Sequence, residues 1–249
     1  MSTLNLFKTA FTTGDYYKAM NQALKSINGD YQMLHYPFYE KDQESFGEAQ
    51  GNLINYLTGQ LDFEDKKVLD LGCGNGTVSL YLAEKFNVSR IIGVDLNHNN
   101  VSIALKEKER RNHQNVDFIK DDAQELQNIE SNSFDIVINV ESAFHYPNKE
   151  RFLAEVLRVL KPGGQFMIAD IVRTKKGNVW LKRWKQRMNL NHWLLEEYLM
   201  AFEKVNLRLH DKEDISNSII KGFRAYKNYL AHFKQSGMPP SRLMTFFFI

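Results

Sequence analysis

The stretch VLDLGCGNG, from Val68 to Gly76, decides the fold of this chain. Three apolar side chains in its first four positions predict a buried strand. The strand runs directly into a turn in which every second residue is glycine, and glycine leaves bare backbone that a ligand can approach closely. The stretch therefore predicts a strand that ends at a cradle for a small ligand.

The spacing of the glycines limits what that ligand is. A dinucleotide-binding fingerprint, G-x-G-x-x-G, would need a glycine at position 77, where the chain has Thr77. Asp70 fits poorly beside a pyrophosphate but suits a cationic amine. The D-x-G-x-G-x-G form resembles the first motif of class I S-adenosylmethionine-dependent methyltransferases, although an ordinary strand-to-helix turn is the alternative. The resemblance implies S-adenosylmethionine as cofactor, S-adenosylhomocysteine as product, and cofactor contacts from Asp70, Gly72, Cys73, Gly74, Asn75 and Gly76.

A second strand, RIIGVDLN, ends in an acid. Asp95 lies 23 residues after Gly72. In nucleotide-binding sheets, an acid at the end of the second strand, about 20 residues after the glycine turn, accepts hydrogen bonds from the ribose hydroxyls. Asp95 is therefore predicted to bind the ribose, and Leu96 beside it belongs to the same predicted site.

The sequence DDAQEL follows the third predicted strand, VDFIK. In methyltransferases of the class that this chain resembles, a polar side chain and adjacent backbone at this place hold the adenine. The resemblance assigns that role to Asp122 and Ala123. Without it, Asp121 and Asp122 fit equally well in a solvated loop or a helix N-cap.

Strands and helices alternate along the chain, which predicts a doubly wound parallel sheet. FDIVINV is the fourth strand, a helix and an LKPGG turn lead to the fifth, and VNLRLH (205–210) is the sixth. We expect an α/β, Rossmann-like methyltransferase fold with a seven-stranded, mostly parallel sheet and one domain over residues 1–249. Residues 1–65 form a helical cap or lid, 66–172 the cofactor-binding core, and 173–249 the acceptor-pocket helices and last strands.

Composition restricts the class of protein. The 249 residues carry a net charge of +2, whereas nucleic-acid-binding domains are usually strongly basic. One cysteine excludes an internal disulfide framework and favours a reducing compartment. The N-terminus lacks the pattern of a signal peptide, and the apolar tail is too short to cross a bilayer. We expect a cytoplasmic protein without nucleic-acid partners, and, because the histidines show no metal-ligand spacing, without a metal.

The N-terminal region contains two predicted helices, Asp15 to Ile27 and Glu48 to Leu61, joined by the irregular aromatic segment, Tyr31 to Phe46. Small-molecule methyltransferases often carry a His-aromatic-Gly-Tyr-Trp stretch here that closes over the cofactor. The chain has HYPFY, from His35 to Tyr39, which is a partial match. The segment is predicted to be a lid with Tyr36 at the cofactor; simple packing of aromatics against the sheet is the alternative.

The loop after the fourth strand reads NVESAFHYPN, from Asn139 to Asn148. It has neither the paired prolines of DNA amino-methyltransferases nor the two glutamates of arginine methyltransferases. It resembles the fatty-acid, phthiotriol and macrolide O-methyltransferases and, more distantly, sterol and quinone C-methyltransferases. The resemblance implies a small-molecule acceptor, with Asn139 and Val140 at the cofactor.

Glu141 and His145 are the titratable candidates in this loop. Histidine suits the removal of a hydroxyl proton at neutral pH, so His145 is a candidate base. The alternative is that His145 only packs or bonds a loop carbonyl, since positioning alone supplies much of the rate of methyl transfer. Glu141 is a candidate to orient the histidine, the cofactor amine or the acceptor.

A basic stretch follows the fifth strand. Residues 173–187 hold seven basic residues and no acids, with Trp180, Trp184 and Met188 at helical spacing. Such a helix can contact an anionic membrane or lipid, or it can dock its tryptophan face on the core. The resemblance implies that this region and the helix after the sixth strand, here near residues 215–233, wall the acceptor pocket, and their tryptophan, leucine, phenylalanine and tyrosine residues predict an apolar acceptor.

The sequence as a whole predicts S-adenosylmethionine-dependent O-methylation of a small, hydrophobic, hydroxylated acceptor. C-methylation of a quinone-like or sterol-like acceptor and a catalytically silent cofactor-binding protein are the alternatives. Oligomerisation is compatible with the sequence but not indicated by it.

Overall fold

The computed structural model describes residues 12–41, 43–173, 188–220 and 222. Its described strands form one five-stranded sheet in the order β3-β2-β1-β4-β5, and every pair is parallel. The strand order reverses between β1 and β4, and such a switch point opens a crevice at the carboxyl ends of the strands. The strands are β1 (Lys67–Leu71), β2 (Arg90–Asp95), β3 (Val116–Lys120), β4 (Phe134–Val140) and β5 (Leu160–Ala169).

Helices connect and cover these strands. A short 3-10 turn, Ala143–His145, follows β4, and residues 216–220 and 222 are also helical. The α-helices are α1 (Thr13–Asn28), α2 (Phe46–Thr58), α3 (Thr77–Lys85), α4 (His98–Arg110), α5 (Lys149–Val159) and α6 (Leu195–Lys204).

Local capping sets the bounds of the two N-terminal helices. Thr12 accepts a hydrogen bond from the N–H of Asp15, whose carboxylate accepts one from the N–H of Thr12, so α1 begins two residues before its predicted start. Gly29, with φ of 77°, ends it. Ser45 forms the same reciprocal cap for α2, which therefore begins earlier than predicted and ends at Thr58.

Alternate residues of β1 enter two hydrophobic clusters, one on each face of the sheet. Val68 lies in the cluster beneath α3 and α4, and Leu69 lies in the cluster beneath α5 and α6. Both side chains are fully buried, as in a strand of a parallel sheet covered on both faces. This double burial fixes the strand and hence the position of the turn that follows it.

The N-terminal cap, consisting of α1, the aromatic segment and α2, has a small cluster of its own. Met20 and Leu24 of α1 pack with Phe46 of α2, and aromatic side chains of α1 and of the segment surround them. The cap therefore brings α1 and the aromatic segment together as one packed unit.

The predicted sixth strand is wrong. Residues 205–210 form no strand; Asn206 adopts a positive φ of 62°, and the N–H of Leu207 donates to the carbonyl of Phe202 at 2.9 Å. This hydrogen bond is the end of α6, and it places Val205 and Leu207 against the core without a sheet. The alternating apolar residues at 205–210 therefore belong to the end of α6 and the residues that follow it, and not to a strand.

The remaining predictions for the C-terminal third fall largely outside the described residues. The basic stretch with Trp180 and Trp184, most of the helix predicted near 215–233, and any seventh strand lie there. Met188, which is described, is buried. Among the described residues, no helix has the length and apolar composition needed to cross a membrane.

Candidate active site

The turn after β1 is shaped by close contacts inside the protein. Its glycines have φ of 73°, 57° and 80°. A Cβ at Gly76 would lie 2.6 Å from Cζ of Phe118, and a Cβ at Gly72 would lie 2.2 Å from Oγ of Ser142. The N–H of Gly72 donates to the carbonyl of Val94 at 2.8 Å, which ties the turn to β2. Protein packing therefore requires glycine at both positions, apart from any ligand above them.

Two other side chains of the motif are buried. Asp70 accepts a hydrogen bond from the Ser79 hydroxyl at 2.6 Å. Burial raises the pKa of the Asp70 carboxyl to about 7; the hydrogen bond from Ser79 opposes this rise, and the nearby Asp95 carboxylate adds to it. Burial also raises the pKa of the Cys73 thiol well above its usual range, so this cysteine is a neutral thiol rather than a nucleophile.

Asp95 stands at the end of β2, beside the glycine turn. Its Oδ2 accepts from the N–H of Gly74 at 2.9 Å, and its Oδ1 accepts from the N–H of Asn97 at 2.7 Å. Burial raises the pKa of this carboxyl, and the two backbone N–H groups oppose the rise. Leu96 follows with 63% of its surface exposed. Asp95 is thus held rigidly and keeps only part of its accepting capacity for a ligand.

The acidic pair after β3 makes local contacts. Oδ1 of Asp122 accepts from the N–H of Gln124 at 2.8 Å, and Asp121 accepts from the N–H groups of Asp122 (2.8 Å) and Asn128 (2.9 Å). Ala123 is buried in the core. These contacts are the ones expected of a solvated loop or a helix N-cap, which is the alternative interpretation of this acidic pair. The pair nevertheless lies at the same edge of the sheet as Asp95.

Asn139, near the end of β4, is fully buried beside the glycine turn. Its Nδ2 donates to the carbonyl of Leu71 at 2.8 Å and to Oγ of Ser142 at 2.7 Å, and Ser142 and Tyr146 share a hydrogen bond of 3.0 Å. Oδ1 of Asn139 finds no hydrogen-bond donor among the described residues. In a binding site, a buried acceptor without a donor in the protein indicates that a bound ligand supplies the donor. Val140 beside it is half-buried.

His145 has both ring nitrogens engaged. Nδ1 lies 3.1 Å from the carbonyl of Met188, and Nε2 lies 2.8 Å from the hydroxyl of Tyr17 in α1. Because a carbonyl only accepts, Nδ1 carries the proton and Nε2 accepts from Tyr17. Burial lowers the pKa of His145 to about 4. The imidazole is therefore neutral at pH 7, with its accepting nitrogen directed at a tyrosine.

Glu141 adopts a positive φ of 46°, a backbone conformation that costs energy for a residue with a side chain. Its Oε2 accepts from the N–H of Tyr36 at 3.1 Å. Burial, followed by repulsion from Asp170, raises the pKa of Glu141 to about 8. Asp170 itself accepts from the N–H of Phe144 at 3.1 Å, and burial raises its pKa to about 6. The carboxyls of Glu141 and Asp170, both with raised pKa values, thus lie at the loop after β4.

The aromatic segment is fastened on two sides. Nε2 of Gln50 in α2 donates to the carbonyls of Met33 (2.6 Å) and His35 (2.8 Å). On the other side, Nδ2 of Asn75 in the glycine turn donates to the carbonyl of Gln32 at 2.8 Å. The segment therefore lies between α2 and the turn, with Tyr36 at Glu141.

The structure brings the predicted residues to one edge of the sheet, since they follow the carboxyl ends of β1, β2, β3 and β4. Sequence reasoning missed Tyr17, Ser142 and Tyr146. No local pattern points to Tyr17, because 128 residues separate it from His145. Ser142 and Tyr146 lie in the quoted loop, and only the contact with Asn139 distinguishes them. The described residues contain no group of three His, Cys, Asp or Glu that could hold a metal ion.

Fold and site together define a doubly wound α/β protein with its predicted cofactor residues at the switch point, where sheets of this kind bind their ligands. The family model described as "Methyltransferase domain" matches residues 62–228 of this chain. The chain belongs to this family, which confirms the resemblance inferred from the glycine motif.

Curated relatives match about half of the chain. The phthiotriol/phenolphthiotriol dimycocerosates methyltransferase of Mycobacterium tuberculosis is 39% identical over 123 residues, which cover 49% of this chain and 44% of the relative. The fatty-acid O-methyltransferase of Mycolicibacterium smegmatis is 39% identical over 134 residues, covering 54% and 47%. The chain thus aligns with less than half the length of these relatives.

Solved structures share the fold over nearly the whole chain. The (4+2)-cyclase SpnF has a TM-score of 0.72 and 26% identity, and the alignment covers 90% of this chain and 84% of that one. A geranyl diphosphate C-methyltransferase from Streptomyces coelicolor, solved with S-adenosyl-L-homocysteine, has a TM-score of 0.74 and 18% identity, covering 90% and 91%. The fold is therefore that of the methyltransferases, and it also carries other chemistry.

Proposed function

We propose that this protein transfers the methyl group of S-adenosylmethionine to a hydroxyl of a small, hydrophobic acceptor. The observation that carries the proposal is the hydrogen bond between Asp95 and the N–H of Gly74. It joins the predicted ribose ligand to the glycine turn, at the edge of the sheet where the loop with Glu141 and His145 also begins. The relatives named for phthiotriol and fatty-acid methylation support a lipid-like acceptor.

The residues present fit the cofactor. Oδ1 of Asn139 is a buried acceptor without a donor, which suits the ammonium group of an amino-acid moiety. Asp95 would accept from the ribose hydroxyls, and the exposed Leu96 and the loop at Asp122 and Ala123 would hold the adenine. In this assignment the glycine turn and Val140 line the cofactor, and Tyr36 covers it from the N-terminal cap.

The chemistry requires a nucleophilic oxygen in line with the methyl group. When bound, S-adenosylmethionine supplies an electrophilic methyl group on a sulfonium, whose S–C bond breaks as the new O–C bond forms. The hydroxyl proton must leave to a base. Tyr17 donates to Nε2 of His145, so a proton from the acceptor can pass to the tyrosine oxygen while the tyrosine proton moves to His145.

His145 suits this role because its imidazole is neutral at pH 7, and not because it is a strong base. With a pKa of about 4 it is neutral and able to accept at pH 7, although it is a weak base there. Glu141, with a pKa of about 8, is mostly protonated at the same pH and suits a hydrogen-bond donor to the acceptor or a partner for nearby positive charge. Positioning then supplies the larger share of the rate.

A protein that binds the cofactor but transfers no methyl group is the second candidate, because SpnF, which has this fold at 26% identity, is named as a cyclase and not as a methyltransferase. C-methylation is the third, because the Streptomyces coelicolor enzyme transfers to carbon on the same fold. If the protein transfers no methyl group, S-adenosylmethionine should bind but should not turn over. C-methylation of a carbon that is already electron-rich predicts turnover that survives the loss of His145, since the carbon attacks before its proton leaves and the proton can then pass to water.

The test begins with small molecules that copurify with the protein, identified by mass spectrometry. These molecules and hydroxylated lipids are then incubated with methyl-labelled S-adenosylmethionine, with Asp95→Ala as the control that should bind it more weakly. We expect the label on an oxygen of one acceptor. Label on carbon would replace O-methylation by C-methylation, and binding without transfer to any candidate acceptor would favour the silent protein.

A further inference from the structure

An unbroken chain of buried side-chain amides crosses from α1 to Asp95. Nδ2 of Asn75 donates to Oδ1 of Asn21 at 2.7 Å, and Nδ2 of Asn21 donates to Oδ1 of Asn100 at 3.1 Å. Nδ2 of Asn100 lies 3.5 Å from Oδ1 of Asp95, a long hydrogen bond that completes the chain. The three amides belong to three different parts of the fold: the helix α1, the glycine turn and the helix α4.

The direction of these hydrogen bonds is fixed at both ends. The Asp95 carboxylate can only accept, so Asn100 must direct its nitrogen there and its oxygen towards Asn21. At the other end, Oδ1 of Asn75 accepts from the backbone N–H of Thr77, which can only donate. Both ends require the same orientation of Asn21. An amide flip at Asn21 would set donor against donor and acceptor against acceptor.

Asn21 occupies a position where an apolar side chain would otherwise be expected. It is 1% exposed, and its neighbours Met20, Ala23 and Leu24 are buried apolar residues of α1. Burying an amide costs free energy unless its polar atoms are paired. The catalytic proposal uses Tyr17 of this helix and does not use Asn21. The position of the amide thus requires another explanation.

We propose that Asn21 is a positioning residue that couples the docking of α1 to cofactor binding at Asp95. The amide chain ties α1 to the glycine turn through Asn75 and, by the long bond from Asn100, to the Asp95 carboxylate that the N–H groups of Gly74 and Asn97 also hold. By linkage, a ligand bound at Asp95 stabilises the docked position of α1 to the same extent. Since α1 also carries Tyr17, cofactor binding would place the partner of His145. This inference rests on the proposed role of Asp95 as a cofactor ligand.

The test compares Asn21→Leu with Asn28→Leu in the full chain. Leucine has the same branching and number of heavy atoms as asparagine, and Asn28 lies on the same helix, where it donates to the carbonyl of Leu24 within α1 itself. Calorimetry with S-adenosylhomocysteine should show affinity weakened roughly 5- to 20-fold for Asn21→Leu. Asn28→Leu should stay within about twofold of the unmodified protein.

A second measurement separates coupling from a merely structural role. In the unmodified protein, S-adenosylhomocysteine should slow hydrogen exchange in residues 13–28 as well as in the glycine turn. In Asn21→Leu, the ligand should still slow exchange in the turn but no longer in residues 13–28. A structural role alone would raise exchange in α1 without changing its response to ligand.

The outcomes distinguish this inference from the proposed function. If Asp95→Ala weakens binding while Asn21→Leu behaves like Asn28→Leu in both measurements, the coupling is rejected and the function stands. If Asp95→Ala binds normally, the ribose assignment fails and the coupling fails with it. Should Asn21→Leu not fold, Asn100→Ala breaks the same chain, and unchanged affinity in that variant rejects the coupling equally.

Discussion

The glycine turn and the N-terminal cap meet at the same site, but they are built in different ways. The turn depends on residues close in sequence: Gly74 and Asp95, 21 residues apart, are joined directly. The cap reaches the site through contacts over long separations, 128 residues for Tyr17 and His145 and 105 for Tyr36 and Glu141. The attachment of the turn to β2 is thus local in sequence, whereas the contacts of the loop after β4 with the cap depend on how a separate unit docks.

The largest expected effect breaks the contact between cap and loop. His145→Gln removes the proposed base, and Tyr17→Phe removes the hydroxyl that donates to it. We expect turnover to fall at least about 100-fold in each variant, because general-base assistance typically contributes 10²- to 10⁴-fold. Binding of S-adenosylmethionine should stay nearly normal. Turnover on the identified acceptor is the measurement, and His113→Gln, a substitution of a histidine bonded to Glu84 away from the loop, is the control.

The pH dependence sharpens the same prediction. Burial lowers the pKa of His145 to about 4, so a rate that needs the neutral imidazole should be lost only as the pH falls through about 4. The ordinary histidine value, about 6.5, would be the expectation from sequence. An ionisation near pH 8 in the dependence of rate on pH would instead indicate the Glu141 carboxylate. This ionisation should disappear in Glu141→Gln. A His145→Gln variant with more than a third of normal turnover would reject the base.

This difference explains what the sequence could reveal. The first five strands, the turn and Asp95 were predictable, because buried strands and glycine spacing are local signals. Tyr17 and Asn21 were not, because their significance comes from partners in the loop after β4 and in α4. The sixth strand failed for a related reason: alternating apolar residues at 205–210 also fit the end of a helix. The pKa of His145 could not be foreseen without knowing its burial.

The next effect tests the cofactor side. Asp95→Ala removes the predicted ribose ligand together with its hydrogen bonds to the N–H of Gly74 in the turn and to the N–H of Asn97 before α4. We expect affinity for S-adenosylhomocysteine to fall roughly 10- to 100-fold, the loss of about 1.4 to 2.7 kcal/mol that such charge-assisted bonds represent. Asp117→Ala, which loses surface ion pairs with Arg90 and Lys108, is the matched control. Tighter binding of NAD than of S-adenosylhomocysteine would overturn the cofactor assignment.

A third prediction asks whether glycine in the turn serves packing or ligand approach. Gly76 and Gly29 have nearly equal φ of 80° and 77°, but a Cβ at Gly76 would collide with Phe118, whereas a Cβ at Gly29 would meet nothing within 4 Å. Gly29→Ala should cost about 1 kcal/mol for the left-handed backbone. Gly76→Ala should cost about 2 kcal/mol more, from overpacking. Urea unfolding without ligand measures both. Equal losses would show that Phe118 and Ala104 yield and that packing is not the reason for this glycine.

The smallest expected effect concerns the aromatic segment as a lid. Gln50 fastens the carbonyls of Met33 and His35 to α2, so a large opening of the whole segment would break buried hydrogen bonds. We therefore expect S-adenosylhomocysteine to slow hydrogen exchange by a few-fold, mainly in residues 31–36, which contact Asn75 and Glu141. Residues 37–46 should change less. Gln50→Leu should free the segment and extend the ligand-dependent slowing to residues 37–46, as expected of a hinge released from its anchor. If ligand slows exchange in the glycine turn but not in residues 31–36, the segment is packing and not a lid, and the acceptor must enter by a route that leaves the cap in place.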